Sequence, residues 1–323
     1  MRGAWCDRLG DVSEIVVRDD LAEPVPSGGQ VLVRVHAAAL NFTDVLMVQG
    51  RYQVRIEPPF VPGSEFAGEV VGAPSGWAAI GTRVTGVVAT GGFSEFAVAH
   101  LHELRRLPDV LDYEQGAAFH VTYTTAYHAL VTIGAGEPGQ TVVVTGAAGG
   151  VGLATVDIAH RLGLRVIATA STPERLALCR TYGADDTVDY STEPLKDRLK
   201  ELVPDGVDVV VDPVGGTVSE PALRALRWGG RFVTVGYAGG EIPRIPLNLV
   251  LLKGAIVRGF EMRGLVSHVP EAVRACNETL NRLVGDGMRP HLGARFALAD
   301  VPAALRQVAE RRALGKVVVS LDH

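Results

Sequence analysis

Residues 145–163 read TGAAGGVGLATVDIAHRLG and continue directly from the apolar run TVVVT at 141–145. Five glycines fall within these nineteen residues. A turn between a strand and a helix needs such bare backbone when an anion must come close, because glycine bends sharply and carries no Cβ. The helix that follows presents unpaired N–H groups and the positive end of its dipole, which together favour a phosphate. The pattern matches G-x-G-x-x-G with Ala147, Gly149 and Gly152 in the three glycine slots, and Gly150 and Val151 open the helix. Gly146, Gly149 and Gly152 also fit G-x-x-G-x-x-G. A lone glycine motif is weak, and an ordinary flexible turn is its plain alternative. This one follows a strand, begins a helix and heads a longer alternation of strands and helices.

That alternation runs on through the chain. RVIATA, TVDY, VDVVVD, RFVTVG and AIVRGF read as strands. TPERLALCRTYG, PLKDRLKELV and SEPALRALRWG read as helices, the first with Pro173 in its opening turn and Gly183 just past its end. Continuous apolar strands at a βαβ period predict a doubly wound parallel sheet over residues 121–262. Before it, EIVVRD, QVLVRVHAAAL, FAGEVVGA, TRVTGVVA and FSEFAVAHLHELRRL predict a partly closed antiparallel β domain. Asp112 is placed to cap a helix starting in DVLDYEQGAAF. Two amphipathic helices, PEAVRACNETLNRLVGDG and VPAALRQVAERRALG, and a final strand KVVVSL are expected to return to the first domain. The expected division is therefore 1–120 with 263–323, and 121–262.

Composition narrows the functional classes. The 323 residues carry a net charge of −5 from 31 basic and 36 acidic side chains, with no basic stripe, so nucleic acid is not expected as a partner. No stretch suits a membrane span or a signal peptide. Cys6, Cys179 and Cys276 are isolated and odd in number, which points away from a disulfide framework and toward a reducing, cytoplasmic setting. The second strand of the parallel sheet ends ATAS, so Ser171 stands where an NAD site usually places an acid, and Arg175 follows one turn later. A hydroxyl beside a cation suits a 2′-phosphate and favours NADPH over NADH. Glu174 fits as a complement to the helix N-terminus.

AAALNFTDVLMVQGRYQ (37–53), PFVPGSEFAGEVVG (59–72), VTYTTAYHAL (121–130), VTGAAGGVG (144–152), VVVDPVGG (209–216) and the ending GKVVVS together carry a resemblance. With these motifs the chain resembles the zinc-free quinone oxidoreductase branch of the medium-chain dehydrogenase/reductase superfamily, over nearly its whole length. The resemblance implies a partly open, GroES-like β-barrel catalytic domain, a Rossmann domain for NADPH, and a homodimer, with AIVRGF as the natural pairing edge. It implies hydride transfer to a quinone or an activated α,β-unsaturated carbonyl. Against the zinc-dependent alcohol dehydrogenases of that superfamily, Asn41 stands in a cysteine slot, Ser64 in a histidine slot and Val121 in a second cysteine slot, so no metal site is expected.

By the same resemblance, Asn41, Asp44 and Tyr52 line the catalytic cleft, with Tyr52 as donor to the acceptor oxygen. Thr125 meets the carboxamide, Arg175 and Tyr190 surround the adenosine phosphate, and Gly236, Tyr237, Ala238 and Phe260 border the nicotinamide half. Lys316 reaches in from the C-terminal segment. Structural readings stay open beside these: Asn41 as a turn satisfier, Asp44 as a helix cap, Tyr52 as a rim aromatic, Thr125 as a backbone-bonded hydroxyl, and Tyr190 as packing. Glu65 is expected to bond buried backbone or Arg83. LNFTDVL and TTAYHAL equally resemble the enoyl reductase modules of polyketide synthases, which leaves a stand-alone enoyl-thioester reductase as the rival enzyme and a non-catalytic NADPH binder as the rival class.

Overall fold

The computed structural model describes residues 1–73 and 79–321. The chain divides into two compact units, Met1–Val121 with Arg289–His323, and Thr122–Met288.

The first unit starts with a short antiparallel pair, β1 (Gly3–Trp5) and β2 (Val16–Arg18). β3 (Gln30–Leu40) is its spine. Val31, Val33 and Val35 alternate onto the buried face of this strand, the period of two that a half-buried strand requires. α1 (Phe42–Val48) follows, then β4 (Glu65–Gly72), β5 (Arg83–Val87), β6 (Phe96–His100) and β7 (Leu104–Arg106). α2 (Tyr113–Tyr127) begins as expected at Asp112, whose Oδ1 accepts from Gln115 N at 2.7 Å.

The second unit alternates β8 (Thr141–Val144), α3 (Gly150–Arg161), β9 (Arg165–Ala170), α4 (Pro173–Thr181), β10 (Asp186–Asp189), α5 (Leu195–Leu202) and β11 (Val207–Asp212). It continues with α6 (Ser219–Arg224), β12 (Leu226–Thr234), α7 (Leu247–Lys253), β13 (Ile256–Gly259), α8 (Met262–His268) and α9 (Pro270–Gly285). Its six strands form one parallel sheet in the order β10-β9-β8-β11-β12-β13. Val142, Val143, Val144, Val209, Val210 and Val211 are fully buried, as the all-apolar central strands foretold.

The chain then returns to the first unit as β14 (Leu292–Ala297), α10 (Val301–Ala309) and β15 (Lys316–Ser320). The larger sheet there runs β14-β15-β3-β4-β5-β7, with β6 also on β3. All its pairs are antiparallel except β14 with β15. Ala37, Ala39 and Ala67 on the sheet meet Ala117 and Ala118 of α2, and these small residues bring the helix close to the strands.

Two expectations need correction. The second unit ends at Met288, not Met262, because α9 packs its buried Cys276, Leu280, Leu283 and Val284 face within that unit, against the helical turn at His128–Ile133. Amphipathic spacing identified the helix but not the sheet it returns to. The helix expected over SEPALRALRWG stops at Arg224, and β12 starts at Leu226, ahead of a left-handed Gly229 at φ 72°. β1, β14, α7 and α8 were not foreseen, each being short and of mixed pattern.

Candidate functional site

The strand order of the second unit reverses at one place. From β8 the chain steps outward through β9 to β10, then resumes on the other side with β11, β12 and β13. A crevice opens at such a reversal, beyond the carboxyl ends of the strands, and in open α/β sheets ligands bind there. The glycine loop lies at this point. A Cβ added to Gly152 would lie 2.3 Å from Gly146 O and 2.8 Å from Ala147 Cα, so only hydrogen lets the first turn of α3 close over the loop. A Cβ on Gly149, the N-cap of α3, would meet only Gly146 O at 3.4 Å, leaving its outer side clear for an approaching anion. The opening N–H groups of α3 have no carbonyl one turn earlier to accept them. The residues present therefore fit a diphosphate.

Asp212 builds the opposite wall. Fully buried at the end of β11, it accepts from Thr145 Oγ1, from Val214 N and Gly215 N at 3.0 Å each, and from Ser219 Oγ. One carboxylate thus ties the loop after β8 to the loop after β11. The loop after β12 is laced to the same wall: Ala238 N donates to Pro213 O at 3.2 Å and Gly239 N to Val214 O at 2.7 Å. Gly236, Tyr237 and Ala238 are in this way held against the loop after β11. The ends of β9 and β10 are joined next to Ser171 and Tyr190: Ser191 Oγ donates to Ser171 O at 3.2 Å and Tyr190 N to Ala170 O at 3.2 Å. Arg175 rises from the first turn of α4, which Thr172 caps by accepting from Arg175 N at 3.3 Å. Thr125 lies half-buried on α2, and Phe260 half-buried just after β13.

The first unit holds the other candidate residues around a buried ion pair. Lys316 Nζ lies 3.1 Å from Glu65 Oε2, with side-chain exposures of 4% and 0%. It also donates to Asn41 Oδ1 at 2.7 Å and to Leu40 O at 3.0 Å. Asn41 Nδ2 turns to Glu65 Oε2 at 3.1 Å and Ser64 Oγ at 3.5 Å, while Glu65 Oε1 accepts from Val121 N at 2.7 Å. Asp44, fully buried at the third position of α1, accepts from Asn41 N at 2.7 Å through Oδ2, the capping geometry. Its Oδ1 makes no hydrogen bond. Burial pushes its carboxyl up to about 6, against the opposing pull of the Ser64 hydroxyl, the Asn41 N–H and the Lys316 charge. Tyr52 is half-buried in the loop after α1.

Lys316 was expected to reach the cofactor. It turns inward instead, and its three N–H donors are matched by three buried acceptors. Glu65 bonds buried backbone as expected, but Arg83 does not join it; Arg83 Nη2 donates to Leu111 O at 2.6 Å. Sequence reasoning gave no role to Asp212 or to the pairing of Glu65 with Lys316. A single acid ending the apolar run VDVVVD was the available signal for the first; nothing local marked the second.

A zinc ion does not fit this lobe. Positions 41, 64 and 65 offer an amide, a hydroxyl and a carboxylate already bonded to an ammonium, where zinc favours thiolate and imidazole. Among the described residues no three His, Cys, Asp or Glu side chains are grouped to hold a metal, and the three buried cysteines form no disulfide. Among the described residues no helix is long and apolar enough to cross a membrane.

The chain is 38% identical to a quinone oxidoreductase-like protein 2 homolog of Nematostella vectensis over 326 residues, covering 99% of this chain and 88% of that one. It belongs to the quinone oxidoreductase-like proteins of the medium-chain dehydrogenase/reductase superfamily. A solved member of this family, the quinone oxidoreductase of Thermus thermophilus, described with its NADPH complex, is 36% identical, with a TM-score of 0.86 over 99% of this chain and 100% of that one. Residues 27–109 match the alcohol dehydrogenase GroES-like domain model, and residues 150–278 the zinc-binding dehydrogenase model, a span that excludes positions 41, 64 and 65. A polyketide synthase of Streptomyces halstedii is 37% identical over 297 residues, which cover 91% of this chain and 5% of that protein.

Proposed function

We propose that this family member reduces a quinone or an activated α,β-unsaturated carbonyl with NADPH and without a metal ion. The observation that carries the metal-free part is the closed Lys316–Glu65–Asn41 ring in the first unit. NADPH supplies a hydride from nicotinamide C4 when bound. The N–H groups opening α3 at Gly150, Val151 and Gly152 hold the diphosphate. Ser171, Arg175 and Tyr190 take the adenosine 2′-phosphate, Thr125 the carboxamide, and Gly236, Tyr237, Ala238 and Phe260 the nicotinamide half. Tyr52 donates a hydrogen bond to the acceptor oxygen as negative charge develops there. Asn41 and Asp44 shape the lobe behind it, both fixed by bonds to their neighbours.

Two substitutions separate these roles. Tyr52→Phe is expected to lower kcat about 10²-fold, the loss typical of removing one donor to a developing oxyanion, with NADPH Kd unchanged. Unaltered turnover would remove Tyr52 from the reaction. Arg175→Ala removes a charged partner of the 2′-phosphate, worth about 1.5–3 kcal/mol. The preference for NADPH over NADH, read as a ratio of kcat/KM, should fall about 10- to 100-fold. An unchanged ratio would place the 2′-phosphate elsewhere.

The polyketide synthase match supports a second reading, reduction of an enoyl thioester. Parallel assays with a quinone and an enoyl-CoA decide between them: the higher kcat/KM identifies the class. Tight NADPH binding with no transfer to either acceptor would leave a non-catalytic binder.

We also place the protein in the cytoplasm, where its three buried cysteines, none of them in a disulfide, stay reduced, and propose that it forms a homodimer through the free edge of β13. Every residue of β13 is exposed, and Trp228, Leu247, Leu251, Leu252, Ile256 and Val257 expose apolar surface around it. A second copy offers the same edge, so a two-fold axis pairs β13 with itself and covers this surface. Light scattering should give twice the chain mass, falling to one chain mass in Leu251→Asp/Val257→Lys; a wild-type monomer contradicts the pairing.

A further inference from the structure

We propose that the Lys316 ammonium is the fixed cation of the lobe formed by Asn41, Ser64 and Glu65, where it orients the Asn41 amide and bars a divalent metal ion. The three side chains come from the end of β3 and the start of β4, and the ammonium enters from the first residue of β15. It bonds Asn41 Oδ1 at 2.7 Å, Leu40 O at 3.0 Å and Glu65 Oε2 at 3.1 Å. These acceptors use every N–H it carries. With Asn41 Nδ2 on Glu65 Oε2, the contacts close into a ring: ammonium to amide oxygen, amide nitrogen to carboxylate, and carboxylate back to ammonium.

The ring has two consequences. The amide is held one way round, since its oxygen faces a donor with no lone pair and its nitrogen faces an acceptor with no hydrogen. The charge of Glu65 is also already met. A divalent ion entering here would face a positive charge a few ångströms away, in a region where burial weakens screening. It would have to displace that charge from a carboxylate with no route to water. Lys316 is therefore a positioning residue for Asn41 and does not touch the cofactor. This inference stands whether the acceptor is a quinone or a thioester.

Cobalt(II), which shares zinc's ligand preferences and colours a thiolate site, is the probe. In Asn41→Cys/Ser64→His with Lys316 kept, dialysis should show cobalt binding at least about tenfold weaker than in the same protein carrying Lys316→Ala as well, which should take up close to one equivalent. Equal affinity in the two overturns the proposal, and so does failure of the second to bind while its near-ultraviolet dichroism matches wild type. A wild-type measurement covers the case in which the variants do not fold. Acylation with a small amine reagent should label the exposed Lys196 and Lys200 and leave Lys316 unlabelled with or without NADPH. Labelling of Lys316 in the free protein that NADPH suppresses would show that it lines the cofactor site, and would overturn the assignment.

Discussion

Lys316→Met is expected to cost the first unit about 3–5 kcal/mol of stability, the loss seen when one partner of a buried ion pair is removed. The magnitude follows from what remains. Glu65 is fully buried, and without the ammonium its charge is met only by the Val121 N–H and the Asn41 amide. A hydrogen bond offsets part of the cost of taking a carboxylate out of water, but not the charge itself. At about 2–4 °C per kcal/mol, the transition of this unit should move down by about 6–20 °C. Lys316→Met/Glu65→Gln should recover most of the loss, since it leaves no buried charge: the glutamine oxygen still accepts from Val121 N, and the Asn41 amide, released by the lysine, can turn over to accept from the glutamine NH2. Calorimetry of the two variants checks this. A single variant within about 1 kcal/mol of wild type would mean that the pair is solvated in solution, in the range of an exposed bridge.

Gly152→Ala should weaken NADPH binding about 10- to 100-fold and lower stability by about 1–3 kcal/mol. The added methyl would lie 2.3 Å from Gly146 O and 2.8 Å from Ala147 Cα. Both are backbone atoms of the loop, so relief requires α3 to move away from β8 and carries its opening N–H groups off the diphosphate. Gly149→Ala provides the contrast. Its φ of −79° suits an L residue, and its nearest contact is 3.4 Å, so the fold should keep its Tm. Its methyl projects on the side an anion approaches, and NADPH Kd should rise without loss of stability. Fluorescence titration with thermal unfolding separates the two. Tight NADPH binding in Gly152→Ala would show that the diphosphate does not rest on this turn.

The parallel sheet was legible because its signal is local. TVVVT, RVIATA and VDVVVD are apolar throughout, glycines end the helices, and the glycine loop falls between strand and helix, so each element announces itself within about ten residues. The same locality explains the residues read correctly: Asp112 caps α2, Pro173 opens α4 with Gly183 just past its end, and Gly152 lets α3 pack tightly on the loop. What escaped depends on distance along the chain. Lys316 and Glu65 are 251 residues apart, and nothing in GKVVVS says that its lysine faces a carboxylate in GSEF. The ammonium was therefore assigned outward, to the cofactor. Asp212 escaped similarly, since its partner Thr145 lies 67 residues away. α9 was recognised but assigned to the other unit, because an apolar stripe states that a surface must be covered and not which surface covers it.

Metal-free reduction of a quinone or enone by NADPH can be tested on one sample. The protein is dialysed against a strong chelator, its residual zinc is measured, and oxidation of NADPH is followed at the nicotinamide absorbance with a quinone and an enone in turn. Full turnover with far less than one zinc per chain is the expected result. No oxidation of NADPH with any such acceptor until zinc is added back would contradict it.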